Sequence, residues 1–563
     1  MSYDAPRDEL RIFTPIGNVG YGYSTEIFWS TIDNLKPHAI ICDSGSTDSG
    51  PQKLALGSST VPRESYECDL EPMVAAAHLG TPVIIASAGG DGADAHVDDF
   101  VGIVDDIVAA RGYRSLKIIK IYAEIPKESV HQALESAPVR IAPCGGGVPS
   151  LTRSEIEASS RIVAQMGMQP FLEAMYKHPD FDMIIAGRAY DPAPYAALCY
   201  YHGFKDLGMA YHMGKIMECG AQCATPKSRE AFATIRKDSF DIMPKWTIKL
   251  EGAKVEGHHS MFVGGCADPI LISQMEELLV RVRLYVASKC TFEHNLKLTV
   301  YGREGALNML GTEKKDPSAT GFPPATVGIL GQARASTQKE ANMVAAMARI
   351  ACVHGPYKGQ KATSGNFAMP TAPLEIPLGL ISSFNIYHLM TVDSPTKHFP
   401  FHLHVSKGHG NRDDEVDKTV GPGAVDVSTE GGKVRTSADP TRPSTSSSEA
   451  FTFTPDQLGA LASIIRAKNS GPFEVTFDII FSEQSVYDRV KSSNVLTRSK
   501  IAALYNLKEA DVVTAMWWQQ ALAFKATVVR SAVSGGWGEV DMHSSTQHVK
   551  LMHLKVPSKL VNY

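Results

Sequence analysis

The sequence predicts an α/β protein: a parallel sheet with helices on both faces, followed by an α+β region and a small C-terminal α+β domain. Three observations carry this. In the first third, continuous apolar runs end in polar, Gly-rich loops, as in HAIICDSGS and PVIIASAGGDGAD. An amphipathic helical segment, VDDFVGIVDDIVAARG, follows the second of these runs. Finally, residues 411–450 hold no Leu, Ile, Met or aromatic residue and divide a long body from a C-terminal unit.

Strands written as unbroken apolar runs are buried on both faces, which a parallel sheet covered by helices provides. In the covering helix, Val97, Phe100, Val101, Val104, Ile107 and Val108 recur at helical spacing. Asp98, Asp99, Asp105 and Asp106 take the opposite face, and Gly112 is its stop. SLKIIKIYAEI is a third strand, VRIAPCGGG a short further strand of the same kind, and FDMIIAGRAYDPAPY a later one ending in Gly187, Arg188 and Asp191. From about residue 245 the pattern changes to strands with turn signals, as in KWTIKLEGAKVEGHHSMFVGG and NLKLTVYGREG, with one helix, TQKEANMVAAMARIACVHG. The expected units are 8–245, 246–410, a flexible linker over 411–455, and a small domain over 456–563. The linker is too polar to bury the apolar surface that would offset its ordering entropy.

With 44% apolar and 20% charged residues in 563, the chain is an ordinary globular protein, not a disordered or fibrous one. Its net charge of -5 argues against a sequence-blind nucleic-acid partner, which needs a basic surplus. No run approaches the length of a membrane span. The start MSYDAPRDEL lacks a basic segment leading into an apolar one, so no secretory leader is expected. Nine irregularly spaced cysteines point to reduced thiols, and a cytoplasmic homo-oligomer is expected. From residue 460 onward, twelve Lys and Arg face eight Asp and Glu, so the tail is +4 and the remainder -9. Opposite charges joined by a linker predict that the C-terminal domain docks on the body.

Ligands of parallel sheets sit beyond the carboxyl ends of the strands, so the strand-end loops are the candidates. Asp43 to Pro51 supplies Ser44, Ser46 and Thr47 as hydroxyl donors and Asp43 as a base, although the same composition also makes a capping turn. The loop Ser87 to His96 brings Ser87, Gly89 and Gly90 as an amide nest for an anion, at the positive end of the following helix. Asp94 and His96 are placed there for acid–base chemistry, with an N-cap as the plainer role of Asp94. Glu124 ends a further strand. Arg188 offers a fork for a carboxylate, with Asp191 close behind it, and either could instead form a structural ion pair. Glu218 stands at a predicted helix end. In the small domain, Lys468, Asn469, Asp541 and His543 lie near Gly-rich turns and are candidates for reaching the cleft.

Cofactor signals are weak. The loops carry neither a P-loop nor a dinucleotide fingerprint, so no cofactor is evident. Cys219 and Cys223 have the wrong gap for a zinc knuckle, and His402 and His404 alternate on a strand as surface residues do. Whether a divalent metal joins Asp43, Asp94, His96 or Glu124 is left open.

The segments GYGYSTEIFW, DSGSTDSGP, SAGGDGADAHVD, SSRIVAQMG, IIAGRAYDPA, GKIMECGA, TIKLEGA, DPILI, VYGREG, ATSGNFAMP and FNIYHLM occur in one order over about residues 10–405. Together they resemble the acyclic terpene utilisation (AtuA) family. Residues 460–556, with IIRAKNSGPFEVTFDIIF, ALAFKATVVR and GGWGEVDMHSSTQHVKL, resemble a small domain of unknown function that bacteria often encode as a separate protein. The resemblance implies a role in breakdown of acyclic terpenes and branched organic acids, and carries no catalytic residues with it. The stretch between Arg236 and Trp246 is shorter than is usual in the family, and the small domain is fused.

The leading expectation is a lyase or isomerase, a hydratase or a double-bond isomerase, acting on a small branched carboxylic acid or its thioester. Asp94 with His96 and Asp43 with Glu124 would serve as base and acid, and Arg188 with the 87–92 loop would hold the carboxylate. A hydrolase using a serine of the 44–49 loop is the first alternative, weakened by the lack of a G-x-S-x-G elbow. A carboxylate-binding or assembly protein without chemistry is the second.

Overall fold

Five short apolar strands form the parallel centre of the first sheet, in the order Lys117–Ile121, Met183–Ala186, Val83–Ala86, Ala39–Asp43 and Glu9–Thr14. Antiparallel edge strands, Phe401–Val405 and Ala231–Arg236, close its two sides. The computed structural model describes residues 9–136, 140–219, 229–236, 247–302, 326–361, 367–411, 416, 418 and 453–557. Both sheet faces are buried, as the unbroken runs require. Ile12, Ile41, Ile84, Ile119 and Ile184 fill one core with the helices Met168–Lys177 and Ala193–Tyr201. Their neighbours Phe13, Ile40, Ile85, Ile118 and Ile185 fill the other with Arg63–His78 and Asp94–Arg111. The apolar stripe expected on the last helix is the one it buries, and Gly112 ends it at φ 65°.

The second sheet is antiparallel. Its order is His294–Tyr301, Val327–Ala335, Thr247–Cys266, Ile376–Thr391 and Ile141–Pro143, with Arg161–Gln165 also pairing with the long third strand. The residues VRIAPCGGG therefore do not form another parallel unit. Ile141–Pro143 pairs antiparallel with residues 388–390 instead. Strands also cross the expected boundary near 245: 141–143 and 161–165 join the second sheet, and 401–405 joins the first. The two regions of the body are interleaved through these exchanges.

The small domain is a four-stranded antiparallel sheet, Ile464–Asn469, Glu474–Ile480, Ala523–Val529 and Val512–Trp518, covered by helices Gln484–Ser492 and Arg498–Leu504. Its own core includes Val475, Phe477, Ile479, Tyr487, Tyr505 and Phe524. Trp517 packs against that core, and Trp518 is exposed. Most of the expected linker, together with Cys223, lies outside the described residues. Of its first residues, Val416 packs on the body's core and Lys418 pairs with Asp33 at 2.6 Å.

Candidate functional site

Strand Met183–Ala186 lies between Val83–Ala86 and Lys117–Ile121, so Gly187 and Arg188 emerge between the loops that follow those strands. Arg188 is buried. Its Nε donates to Glu251 Oε2 at 3.0 Å, Nη1 to Ser87 Oγ at 3.3 Å and Nη2 to Thr47 Oγ1 at 2.9 Å. Thr47 Oγ1 donates to Glu251 Oε1 at 2.7 Å, and Lys249 Nζ lies 3.1 Å from the same oxygen. Lys249 also donates to the Tyr387 hydroxyl at 3.2 Å. Burial opposes ionisation of Glu251, but Arg188, Lys249 and the Thr47 hydroxyl outweigh it and hold its carboxyl down at about 2. The guanidinium fork is thus turned to protein groups and shapes the site, where the sequence had it gripping a substrate.

Ser87 has the left-handed φ of 53°, an uncommon conformation for a residue with a side chain. It aims Oγ at both Arg188 and the Ala189 amide, the latter at 3.3 Å. The glycines serve close approach of loop to loop: a Cβ on Gly45 would stand 2.8 Å from Ser87 Cβ. The expected amide nest is spent inside the protein. Ser87 and Ala88 donate to Gly187 and Ala186, Gly90 donates to Ser87, and Gly92 donates to Ala88. The Gly89 and Gly90 carbonyls take the Thr60 and Ser46 amides.

His96 is present in the site, with a different partner from the one expected. Its Nδ1 lies 2.6 Å from Asp91 Oδ1, which also accepts the Ala93 amide at 2.9 Å. Burial works against a charged imidazole, but the hydrogen bond and charge of Asp91 outweigh it and raise its pKa. Asp91 Oδ2 is buried with no hydrogen-bond partner. Asp91 lines a narrow pocket with Lys53, Ser46, Thr47, Arg188 and Glu251, whose cavity of about 10 Å³ is at the lower limit for one water molecule. Burial lowers the pKa of Lys53, and the nearby Asp91 partly offsets this.

Asp94 is instead bound to Glu124. Its Oδ1 accepts the Ala123 and Glu124 amides at 2.9 and 3.1 Å, and its own amide donates to Glu124 Oε1 at 3.1 Å. This exchange fixes the helix start to the end of strand 117–121. Burial raises the pKa of both carboxyls. Asp94 is the first residue of that helix, whose N-cap is Ala93. Asp43 is buried, accepts the Ser44 amide at 2.8 Å, and is held well above the usual carboxyl range by burial and the charge of Asp191. Its electrostatic neighbours are thus Asp191, Arg188 and Glu218. Lys215 bridges Asp191 and Glu218, each at 2.7 Å. Ser44 Oγ is buried without a partner and Ser46 Oγ caps the Asp48 amide, while His96 Nδ1 is committed to Asp91. The serine-hydrolase arrangement finds little support there.

The small domain meets this region of the body. Asn469 Nδ2 donates to Asp48 Oδ1 at 3.0 Å, and Glu474 Oε1 accepts the Gly147 amide at 2.8 Å. Lys297 bonds the Gly538 carbonyl, and Trp537 lies against Arg334. Asp541 binds inward, accepting from Thr546 and Gln547, and so shapes its own turn. Lys468 and His543 are exposed and line neither pocket. Between body and small domain lies a cavity of about 300 Å³, lined by Cys144, Gly145, Val148, Lys249, Tyr387, Leu389, Ser470, Gly471 and Glu474.

Sequence reasoning missed Lys53, Asp91, Lys249, Glu251 and Glu474. A signal existed for two of them: in TIKLEGA the charged Lys249 and Glu251 alternate with the buried Ile248 and Leu250, which puts both charges on one strand face. Among the described residues, no group of three or more His, Cys, Asp or Glu side chains is placed to hold a metal ion. No described helix is long and apolar enough to cross a membrane.

Fold and site together define an α/β protein with a polar, strand-end site and a second, small domain packed beside it at Asp48. Residues 59–242 match the family described as acyclic terpene utilisation family protein AtuA, and residues 458–555 match a domain of unknown function, DUF4387. The resemblance drawn from the sequence motifs is shown for these two segments. No curated protein and no solved structure matches the chain.

Proposed function

We propose that the protein is an acid–base enzyme of the lyase or isomerase class, most specifically a hydro-lyase, acting on a small branched carboxylic acid or its thioester. The family description, acyclic terpene utilisation, supports the substrate class. The observation that carries the reaction is the narrow pocket: it has room for about one water oxygen, beside the unpartnered Asp91 Oδ2 and the Lys53 side chain.

In this reading Asp91 is the base. His96 orients its carboxylate through the contact between Nδ1 and Oδ1 and leaves Oδ2 for the water. As a water oxygen attacks the double bond of an unsaturated acid, its proton passes to Asp91 Oδ2. Lys53, whose pKa is lowered by burial, delivers a proton to the adjacent carbon. The reverse sequence expels water. Arg188, fixed by Glu251, Thr47 and Ser87, gives the pocket wall a positive charge that favours an enolate-like intermediate at the pocket mouth, the pocket itself holding the water.

The test is deuterium incorporation. Incubated in deuterated water with a panel of branched unsaturated acids and their thioesters, the wild type is expected to give hydroxy products that carry a solvent deuteron on the carbon next to the carboxyl or thioester carbonyl. Asp91→Asn is expected to slow this by about 100-fold or more. Incorporation that survives in Asp91→Asn at the wild-type rate would remove Asp91 from the chemistry.

A further inference from the structure

The strand-end reaction makes no use of the cavity between the body and the small domain, although Lys249 and Glu251 link the two places. That cavity, about 300 Å³, is at the lower end for small-molecule sites. Its walls have distinct chemical ends. On the body side, Lys249 Nζ has three protons. Glu251 at 3.1 Å and the Tyr387 hydroxyl at 3.2 Å engage two. One donor remains for a ligand. Lys249 is the cation in the cavity's lining, and Arg188 holds the other oxygen of Glu251, so the remaining Lys249 proton suits an anion.

On the small-domain side stands Glu474, buried, with Oε1 on the Gly147 amide at 2.8 Å. A carboxylate has further lone pairs, so Glu474 can accept from a ligand hydroxyl. Gly147 permits the approach: a Cβ there would lie 3.1 Å from Glu474 Cγ. Between these ends Val148, Leu389 and the ring of Tyr387 supply apolar surface.

We propose that this seam cavity binds a small branched hydroxy monocarboxylic acid. The carboxylate pairs with Lys249, the hydroxyl donates to Glu474, and the carbon skeleton lies on Val148, Leu389 and Tyr387. The negative charge of Glu474 disfavours a second carboxylate on the ligand. The site needs both units, because Lys249 belongs to the body and Glu474 to the small domain. That the skeleton is branched rests on the substrate class of the acid–base reading above; the binding itself does not.

Calorimetry on the full chain tests it with four probes: β-hydroxyisovalerate, isovalerate, β-hydroxyisovaleramide and methylsuccinate. β-Hydroxyisovalerate is expected to bind saturably. The neutral amide and methylsuccinate should each bind about tenfold more weakly or worse, and isovalerate about tenfold more weakly for want of the hydroxyl. Glu474→Gln should narrow the gap between β-hydroxyisovalerate and isovalerate and admit methylsuccinate. Lys249→Met should abolish binding. Because that change removes one of the two cations on Glu251, Leu389→Trp is the second variant: it fills the cavity from an exposed position, leaves the ion chain intact and should also abolish binding. Absence of saturable binding, equal affinity for acid and amide, or unchanged affinity in Leu389→Trp would overturn the proposal. Asp91→Asn separates the two readings, since it should stop deuterium incorporation while leaving this affinity within about twofold. Binding that obeys these rules in a protein that catalyses no such incorporation would retain the site and dismiss the reaction.

Discussion

Glu251 is the residue on which the electrostatics of the site turn. It is buried between Arg188 and Lys249, and removing one partner of a buried ion network leaves uncompensated charge. Glu251→Gln is therefore expected to cost about 3–5 kcal/mol near neutral pH, measured by urea unfolding. The pH dependence has a definite sign. The folded pKa of Glu251, about 2, lies below its ordinary 4.5, so its contribution is complete above 4.5 and is lost as pH falls toward 2. The gap between wild type and variant should narrow over that window; a constant gap would mean that packing, not charge, sets the cost. Asp91 shows what residue-level reading lacks. It sits in the Gly-rich loop picked out from the sequence, yet Asp94, two residues before His96, looked the better partner. The turn after Gly90 brings Asp91 Oδ1 to the imidazole and sends Asp94 to Glu124. Sequence proximity did not determine which carboxylate the backbone returns to the ring.

At the scale of elements, the strand-end loops were legible because apolar runs that stop at polar, Gly-rich residues have few alternatives to buried parallel strands. Pairing was less legible. The strand at 141–143 is only three residues long, and its two C-terminal residues are exposed. Nothing local distinguishes it from the strands of the first sheet, and its antiparallel partner lies some 250 residues away. The glycines were read as an amide nest for an anion, whereas in the structure they let one loop approach another. Gly45→Ala should accordingly cost about 1–3 kcal/mol by overpacking against the Gly90 carbonyl and Ser87, and lower activity by shifting Thr47. Gly102→Ala is the control. It lies within helix Asp94–Arg111 with nothing near an added Cβ, and should gain up to about 1 kcal/mol. Thermal melts of the two variants check both signs, and equal effects would contradict the assigned crowding.

For the whole molecule, the charge asymmetry and the polar stretch after residue 410 made a separate C-terminal unit legible. Which of its residues face the body could not be read from charge alone. Lys468 and His543 are exposed, whereas Asn469 and the unselected Glu474 touch the body. We expect fragments 1–410 and 455–563, expressed apart, to associate when mixed at about ten micromolar, as sedimentation would register. Fragments that remain separate would mean the contacts depend on the covalent link.

Incorporation of solvent oxygen examines the chemistry most directly. Branched unsaturated acids and their thioesters, incubated with the full chain in heavy-oxygen water and followed by mass spectrometry, should give a hydroxy acid or its thioester with the label in the new hydroxyl. Asp91→Asn should give almost none. Label appearing in a carboxylate released from the thioester, or in the hydroxyl at the same rate in Asp91→Asn, would contradict a hydro-lyase that uses Asp91 as its base.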